Sequence, residues 1–451
     1  MWLAAALALP LCAHSHTLAP SGCPINHCTP EYTGLTYQPL ITTVITNIDN
    51  GSLGSLQAEG CSGNGTRLAC LYIRDSAPAN RKGTLKILNA NTLKPVWGSA
   101  SAPNSLDLDP HSAADGQVPV FFSNGTVAAG DASNFVLYSS AGAVLGTLPV
   151  GGQGNDLGLI PISSTHGIVS QGDGVLTLVN LGTWTQEGSL TLTDPATEER
   201  VNLIGPSAGS SNVLYPIAYD SRSGTGVLYS VVVDKRGHLA IRSSFSFLGQ
   251  AGASPVVITP SISGLPANLI LLHVPGLIGE EQPKDRLLAL SDTGGSEFEQ
   301  SWAITLDTPV AVSPTVDPGS LSIFYETGST IHQNALLTGE PIQTYNIKTI
   351  GGYADSFRLV GHLGASQVGS TFTLLLAGTY ATSKRGGVQC AIEFQPIASP
   401  SSLVWVEQIA DVESGYTGAW NFAPSLQSGV MCPIAISMKG AKSRIVRLCD
   451  H

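Results

Sequence analysis

The sequence predicts an all-β protein, and three observations on its 451 residues favour this class. Short β-rich runs are separated by turn residues, and almost no segment has the period of an amphipathic helix. Asn124-Gly125, Asp173-Gly174 and Thr338-Gly339 are predicted to form hairpin turns. The chain contains 50 Gly and 28 Pro, which suit tight turns between strands. A glycine-rich step recurs before an apolar run, at 151–156, 249–254, 351–356 and 415–421. Repeats of about 40–50 residues, each with four strands, are typical of a β-propeller blade.

The repeats follow one another without an obvious linker, so residues 20–451 are predicted to form a single β-propeller domain. Their predicted bounds are 56–100, 104–150, 155–192, 201–248, 254–306, 310–347, 355–409 and 418–448. The last unit supplies only about three strands, and the early run 35–47 is predicted to complete it, because an added strand protects exposed sheet edges. This gives eight blades of four antiparallel strands. Seven blades are the alternative, since the bounds near 196–248 are soft.

The first 19 residues predict a secretory signal peptide. Residues 2–12 (WLAAALALPLC) are apolar and are followed by small residues, as in a cleavable leader. A buried amino-terminal strand is the alternative. No later segment reaches the ~18 uninterrupted apolar residues that a membrane-spanning helix needs. The prediction is therefore a protein of the secretory pathway or the extracellular space, without a membrane span.

Three Asn-Gly-Ser/Thr sequons agree with a secreted protein and predict glycosylation at Asn50, Asn64 and Asn124. Each sequon contains a glycine, and each is predicted to form a turn from which a glycan can project into solvent. A chain rich in Asn, Ser and Thr also contains such triplets by chance.

Seven cysteines follow the predicted leader, and none lies between residues 70 and 390. They are Cys23, Cys28, Cys61, Cys70, Cys390, Cys432 and Cys449. In an oxidising compartment we expect disulfides between them. Cys61 with Cys70 would close a short loop, Cys390 with Cys432 would link the last two blades, and Cys23 or Cys28 could bond Cys449. Their spacing does not match a zinc site, so no metal is predicted.

Composition and motifs restrict the function. Only 12% of the residues are charged and 43% are hydrophobic, which predicts a folded chain. The net charge of −11 argues against a nucleic-acid partner, because such binders need basic patches. The sequence contains no nucleophile elbow, His-Glu-x-x-His helix, phosphate-binding loop, dinucleotide fingerprint or EF-hand loop. No cofactor is predicted.

The ends of the glycine-rich steps are predicted to lie at the mouth of the central channel, where ligand sites of apolar walls and few polar groups form. The predicted polar groups are Asp156, Asp355 and Arg200, with the amides Asn155 and Asn421 beside them. The predicted apolar walls are the aromatic residues Trp420, Tyr353 and Phe357. The alternative for each polar residue is a turn cap, and for each aromatic residue blade-to-blade contact.

The layout resembles the fungal hetero-Diels–Alderases of tropolone sesquiterpenoid biosynthesis. The resemblance covers nearly the whole chain and is carried by the leader, the Cys23 and Cys28 pair, the sparse charge, and the segments 351–357 (GGYADSF) and 418–424 (GAWNFAP). It implies a β-propeller that dehydrates a hydroxymethyl tropolone to a quinone methide. It further implies addition of this heterodiene across an alkene of a humulene-type macrocycle. No functional residue of the family can be placed by a motif match.

A cycloaddition needs no nucleophile, metal or redox cofactor, which agrees with the missing motifs. It needs two small apolar substrates held in one orientation. We expect a protonated Asp156 or Asp355 to assist loss of water, and Arg200 to stabilise the tropolone oxygen. Two other classes remain open: a non-catalytic secreted propeller that binds a glycan or a protein, and a metal-dependent lactonase or hydrolase. The sequence does not predict the oligomeric state.

Overall fold

The computed structural model is an all-β fold of antiparallel sheets, which confirms the predicted β-propeller class. The described residues are 35–36, 47–52, 56–74, 83–96, 106–108, 119–130, 134–149, 156–204, 207–210, 212–234, 237–310, 313–328, 330–346, 358–359, 363–368, 370–381, 387–395, 402–412, 421–424, 431–439 and 442–449. The strands in these ranges form eight sheets, here numbered in chain order of their main strands. The first two strands, β1 (Leu35–Thr36) and β2 (Asn47–Ser52), join the last two sheets.

Sheets 1 to 3 each consist of four consecutive strands. Sheet 1 contains β3 (Leu56–Gly63), β4 (Arg67–Arg74), β5 (Gly83–Asn89) and β6 (Leu106–Leu108). Sheet 2 contains β7 (Val120–Phe121), β8 (Val127–Gly130), β9 (Asn134–Tyr138) and β10 (Val144–Pro149). Sheet 3 contains β11 (Asp156–Pro161), β12 (His166–Gln171), β13 (Val175–Asn180) and β14 (Thr185–Thr191). The outer strand of sheet 1 is β6, which lies beyond residue 100, the predicted end of the first repeat.

Sheets 4 to 6 continue this plan. Sheet 4 contains β15 (Asn202–Leu203), β16 (Ala208–Ser210), β17 (Val213–Tyr215), β18 (Ile217–Asp220), β19 (Thr225–Val233) and β20 (Leu239–Leu248). Its two inner strands are each broken in two: β15 and β16 form the innermost strand, and β17 and β18 form the second. Sheet 5 contains β21 (Val256–Ile258), β22 (Asn268–Val274), β23 (Arg286–Asp292) and β24 (Glu299–Thr305), with the helical turn α1 (Pro260–Ser263) after β21. Sheet 6 contains β25 (Thr315–Asp317), β26 (Ser322–Thr327), β27 (Thr330–Ala335) and β28 (Pro341–Asn346).

Sheets 7 and 8 each include a strand from the beginning of the chain. Sheet 7 contains β29 (Arg358–Leu359), β30 (Gly364–Val368), β31 (Thr371–Ala381), β32 (Gly387–Gln395) and β33 (Ser402–Val412), and β1 pairs in parallel with β30. Sheet 8 contains β34 (Asn421–Pro424), β35 (Met431–Lys439) and β36 (Lys442–Cys449), and β2 pairs antiparallel with β36.

The strand that joins sheet 8 is therefore 47–52, whereas the sequence predicted 35–47. The predicted run is the more apolar and β-branched of the two, but β2 (NIDNGS) is polar. A polar strand suits an outer sheet edge, where one row of backbone groups faces water. Strand β3 of sheet 1 contacts β34, β35 and β36, so the two ends of the chain meet. Completion of an eight-bladed ring stays a prediction.

The hydrophobic core lies between neighbouring sheets. Inner strands such as β8, β16, β21 and β25 are buried along their whole length, whereas the outer strands β10, β14 and β24 are mostly exposed. Two tryptophans bridge adjacent sheets. The indole N–H of Trp184 donates to the backbone oxygen of Phe135 (3.3 Å), and that of Trp302 donates to Leu336 (2.9 Å). Apolar burial on both faces thus fixes each sheet against the next.

A buried polar network joins sheets 4 and 5. The carboxylate of Asp292 has no exposed side-chain surface, and it accepts hydrogen bonds from Tyr215 (2.8 Å) and Ser230 (2.7 Å). It also forms an ion pair with Arg242, whose side chain is 27% exposed. The amide of Asn268 donates to the Tyr215 hydroxyl (2.9 Å). Because burial disfavours the phenolate, the pKa of Tyr215 is raised, and its proton stays available to Asp292. We call these five residues the Asp292 network.

One predicted disulfide is confirmed. Cys61 and Cys70 face each other across β3 and β4 and are bonded. Cys390, Cys432 and Cys449 lie in β32, β35 and β36. Cys23 and Cys28 lie outside the described residues. All pairings of these five cysteines stay predictions.

The sequons differ in backbone structure. Asn64 and Asn124 lie in turns, as predicted, and each side-chain oxygen accepts hydrogen bonds from the amide and hydroxyl of the threonine two residues later. Asn50 lies within β2, opposite Val446, so the predicted turn is wrong there. The sequence predicted a turn because Asn-Gly is a hairpin signal. In the structure this segment instead pairs with β36, the last strand of the chain. Glycosylation of all three stays a prediction.

Candidate functional site

The candidate site lies at the end of the sheets where each innermost strand begins, which we call the mouth face. The turns between second and third strands lie at the same end, because neighbouring strands are antiparallel. On sheet 3 the mouth face comprises the start of β11 and the turn 171–175. Asp156 is the first residue of β11 and is paired with Gln171. This register places Asp156 at the mouth face of sheet 3.

Arg200 reaches the same end of sheet 3 from the loop that leads into sheet 4. Its Nε donates to the backbone oxygen of Asp173 (2.5 Å), and its Nη2 lies 2.6 Å from the Asp173 carboxylate. The Arg200 side chain is 49% exposed, so this ion pair adds only about 0–1 kcal/mol to stability. Its main effect is to hold the guanidinium above the turn beside β11. Two predicted polar residues, Asp156 and Arg200, are thus brought to one sheet end.

The loop 193–201 that carries Arg200 is fixed to the sheets on both sides of it. Asp194 accepts hydrogen bonds from the amides of Ala196 (2.7 Å) and Thr197 (3.2 Å), which folds the loop back on itself. Glu199 forms an ion pair with Arg222 in the corresponding turn of sheet 4 (2.6 Å). The loop therefore spans the mouth face between sheets 3 and 4 with a defined shape.

Gly174 is in close contact with the end of this loop, at Val201. It has a φ of +83°, and a Cβ at this position would lie 2.2 Å from the backbone oxygen of Val201. The amide of Leu192 donates to the Gly174 oxygen (2.9 Å). The predicted Asp173-Gly174 turn is therefore confirmed, and its glycine is required by both backbone conformation and close contact.

Gln171 is a mouth-face residue that the sequence analysis did not identify. Its side chain is fully buried, and neither its amide nitrogen nor its oxygen makes a hydrogen bond. Such an orphaned amide is rare in folded proteins, because each buried polar atom loses its bonds to water. No sequence signal marks this residue, since Gln at a strand end is common.

His273 binds the glycine-rich step 249–254, which leads into sheet 5 at the mouth face. Its Nδ1 accepts a hydrogen bond from the amide of Gly252 (3.2 Å), and its Nε2 donates to Asp285 (3.1 Å). A Cβ on Gly252 would lie 2.6 Å from this Nδ1, which explains the glycine in the repeated step. Burial lowers the pKa of His273, although Asp285 opposes this shift. The neutral ring therefore has a structural role, since it connects Gly252 to Asp285.

The stability contributed by His273 is expected to be lost in acid. Because its pKa is lowered on folding, the unfolded chain binds the proton first, below a pH of about 6.5. The contribution is therefore complete above that pH and falls by at most about 1.4 kcal/mol per pH unit below it. Chemical unfolding between pH 8 and pH 5 should show a steeper loss of stability for the native chain than for His273→Gln. Equal slopes for the two proteins would contradict this assignment.

A second mouth-face histidine, His332, lies at the turn between β26 and β27. Its ring stacks on Tyr325, with centroids 4.9 Å apart, and its Nε2 lies 2.6 Å from the Thr327 hydroxyl. Burial lowers the pKa of His332 and raises the pKa of Tyr325 to about 12. Both groups are therefore uncharged at physiological pH.

The other predicted site residues fall on less completely described parts of the chain. Asn421 is the first residue of β34 and pairs with Ile434, five residues before the end of β35 at Lys439, so it lies opposite the middle of β35 and not at the β35–β36 turn. Asn155, Tyr353, Asp355, Phe357 and Trp420 lie outside the described residues. Within the part of the chain that the structure describes, three or more His, Cys, Asp or Glu side chains do not converge as metal ligands would. Among the same residues, helices long and apolar enough to cross a membrane are absent.

Known proteins resemble this chain in fold but not in sequence. No protein-family model matches the chain, and no curated protein is similar to it in sequence. The computationally designed Ika8 protein has a similar structure, with a TM-score of 0.52 and 12% identity over 91% of this chain and 99% of that one. BamB from Moraxella catarrhalis has a TM-score of 0.44 and 13% identity over 80% and 96% of the two chains. The β-propeller domain of Cps50 (Swd1) from Myceliophteria thermophila has a TM-score of 0.42 and 10% identity over 73% and 95%.

Proposed function

We propose that this propeller is a cofactor-independent hetero-Diels–Alderase that binds two small apolar substrates at its mouth face. The observation that carries the proposal is the convergence of Asp156 and Arg200 on one end of sheet 3, beside the turn 171–175. Asp156 supplies an acid and Arg200 a cation, and these are the two polar groups that the reaction requires. The family resemblance of the sequence supports the choice of substrates.

The proposed reaction has two steps. In the first, an acid such as Asp156 or Asp355 protonates the hydroxymethyl group of a tropolone, whose C–O bond breaks to release water. The tropolone hydroxyl then returns a proton to the carboxylate, which gives the neutral quinone methide. In the second, this heterodiene forms one C–C and one C–O bond with an alkene of a humulene-type macrocycle. The product is a dihydropyran, and the only by-product is water. Positioning of the two partners lowers the barrier by removing orientational entropy from the reaction step.

Arg200 can serve this reaction despite its bond to Asp173. A guanidinium has five N–H donors, and the contacts to Asp173 engage Nε and Nη2. A tropolone oxygen that gains negative charge in the transition state can therefore bind the remaining donors, while Asp173 fixes the plane of the group. Fixed donors of this kind stabilise developing charge without reorganisation. In the proposal, Asn155 and Asn421 orient oxygens of the substrates, and Tyr353, Phe357 and Trp420 form apolar walls.

The direct test incubates the full-length protein with a hydroxymethyl tropolone and a humulene-type alcohol, and quantifies dihydropyran products by chromatography and mass spectrometry. We expect faster formation and a narrower product ratio than without protein, unchanged by a chelator. Tropolone binding without turnover would instead indicate a non-catalytic binding propeller. Hydrolytic activity that a chelator removes would indicate a lactonase or hydrolase.

Matched arginine variants test the site itself. Arg200→Ala is expected to lower kcat/KM at least about tenfold, because a donor to the developing oxyanion is lost. Arg222→Ala removes the ion pair on the other side of the same loop and is expected to change kcat/KM less than about twofold. An equal effect of the two substitutions would show that only the shape of the loop matters, and would remove Arg200 from the proposed mechanism.

A further inference from the structure

The beginning of the chain occupies an unusual place in sheet 7. The order of this sheet is β1, β30, β31, β32 and β33, so β1 lies at the edge beyond β30. Strand β30 belongs to the innermost row, because it contacts β25, the innermost strand of sheet 6. The space beyond the innermost row of a propeller is its central channel. Leu35 and Thr36, paired with Ala365 and Ser366, therefore lie in the channel.

The depth of β1 in the channel follows from the register. The innermost strand of sheet 7 begins at the mouth face with β29, at Arg358. Ala365 comes seven positions later, up to about 23 Å further along an extended strand. Val368 is the last residue of β30. Strand β1 therefore lies near the far end of the channel, away from the mouth face.

We propose that β1 closes the far end of the channel, so that substrates and products pass only through the mouth face. This inference rests on the proposed function, and it adds a part of the chain that the proposed reaction did not use. A channel closed at one end limits the access of water to a quinone methide, which water would otherwise capture before the alkene adds. The pairing of Ala365 and Ser366, which are 0% and 3% exposed, is consistent with a covered inner edge.

The first experiment tests the position of β1 independently of catalysis. Ser366→Cys places a thiol opposite Thr36, and its reaction with a maleimide is measured by peptide mass spectrometry. Adding Thr36→Pro, which removes a backbone N–H and restricts the backbone of Leu35, is expected to accelerate labelling at least tenfold. Adding Thr43→Pro, outside β1, serves as the matched control and is expected to leave labelling slow. Equal labelling with Thr36→Pro would overturn the proposal. Thr36→Gly replaces Thr36→Pro if the proline variant does not fold.

The second experiment tests closure during turnover. In water enriched with oxygen-18, capture of the quinone methide by solvent returns labelled hydroxymethyl tropolone. We expect Thr36→Pro to raise the ratio of labelled alcohol to cycloadduct at least threefold, and Thr43→Pro to leave the ratio unchanged. An unchanged ratio with Thr36→Pro would overturn closure even where labelling of the thiol increases. If the native protein makes no cycloadduct, the proposed function fails, and the thiol labelling alone decides the position of β1.

Discussion

Asp292→Ala is expected to lower the free energy of unfolding by about 3–5 kcal/mol, the largest effect of any substitution considered for this protein. The Asp292 carboxylate is fully buried. It accepts hydrogen bonds from the hydroxyls of Tyr215 and Ser230 and forms an ion pair with Arg242. Its removal leaves a largely buried guanidinium without its counter-ion and two hydroxyl groups without their acceptor. Denaturant unfolding, with the free energy extrapolated to water, measures the loss.

Asp173→Ala is the matched control for this prediction. It also removes a carboxylate that binds an arginine, but the Arg200 side chain is 49% exposed and the Asp173 side chain 21% exposed. We expect a loss of about 0–1 kcal/mol, because solvent screens the pair and replaces its contacts. Asp292→Asn should be intermediate, since the amide keeps one acceptor oxygen but not the charge. The assignment of the Asp292 network as the link between sheets 4 and 5 fails if Asp292→Ala costs no more than Asp173→Ala.

Gly174→Ala is expected to cost about 3 kcal/mol or more, the sum of a left-handed backbone strain and a collision. Its φ is +83°, and the added Cβ would lie 2.2 Å from the Val201 oxygen. The backbone must shift, and the loop 193–201 shifts with it. Because that loop carries Arg200, we also expect the variant to lose the proposed activity at a temperature where it remains folded. Thermal and denaturant unfolding give the first quantity, and product formation gives the second.

Gly224→Ala separates the two causes. Gly224 lies in the corresponding turn of sheet 4 with a φ of +71°, but a Cβ added there would meet no atom within 4 Å. It should therefore show only the strain, about 1 kcal/mol. The difference between the two alanine variants measures the contact between Gly174 and Val201. Equal losses would mean that this contact is relieved without cost.

Local patterns in the sequence predicted most of the sheets, because each sheet is built from hairpins whose turns carry Gly, Asn or Asp. The Cys61–Cys70 bond was predictable for the same reason, since both residues flank one short hairpin. The place of β2 was not predictable, because a polar strand at an outer edge lacks the apolar alternation that identifies a strand.

The candidate site was predictable only in part, because its polar contacts join distant residues. The turn containing Asp173 and Gly174 was predicted, but the ion pair of Arg200 with Asp173 spans 27 positions and has no local signal. The bond of Gly252 to His273 spans 21 positions, so the glycine was recognised as a repeat feature without its partner. The orphaned amide of Gln171 depends on what surrounds it in three dimensions. Long-range contacts of this kind are visible only once the sheets are assembled.

Because Asn47 pairs with Cys449, β2 can join its sheet only after almost the whole chain has been synthesised. About 400 residues separate the two partners, and synthesis at about 5–20 residues per second needs roughly 20–80 seconds to cover that distance. Throughout this interval β2 has no partner strand, while the intervening hairpins are free to form as they emerge. A nascent chain that stalls before its final hairpin would display an unpaired edge at each end, and is the form of this protein most prone to associate with another copy.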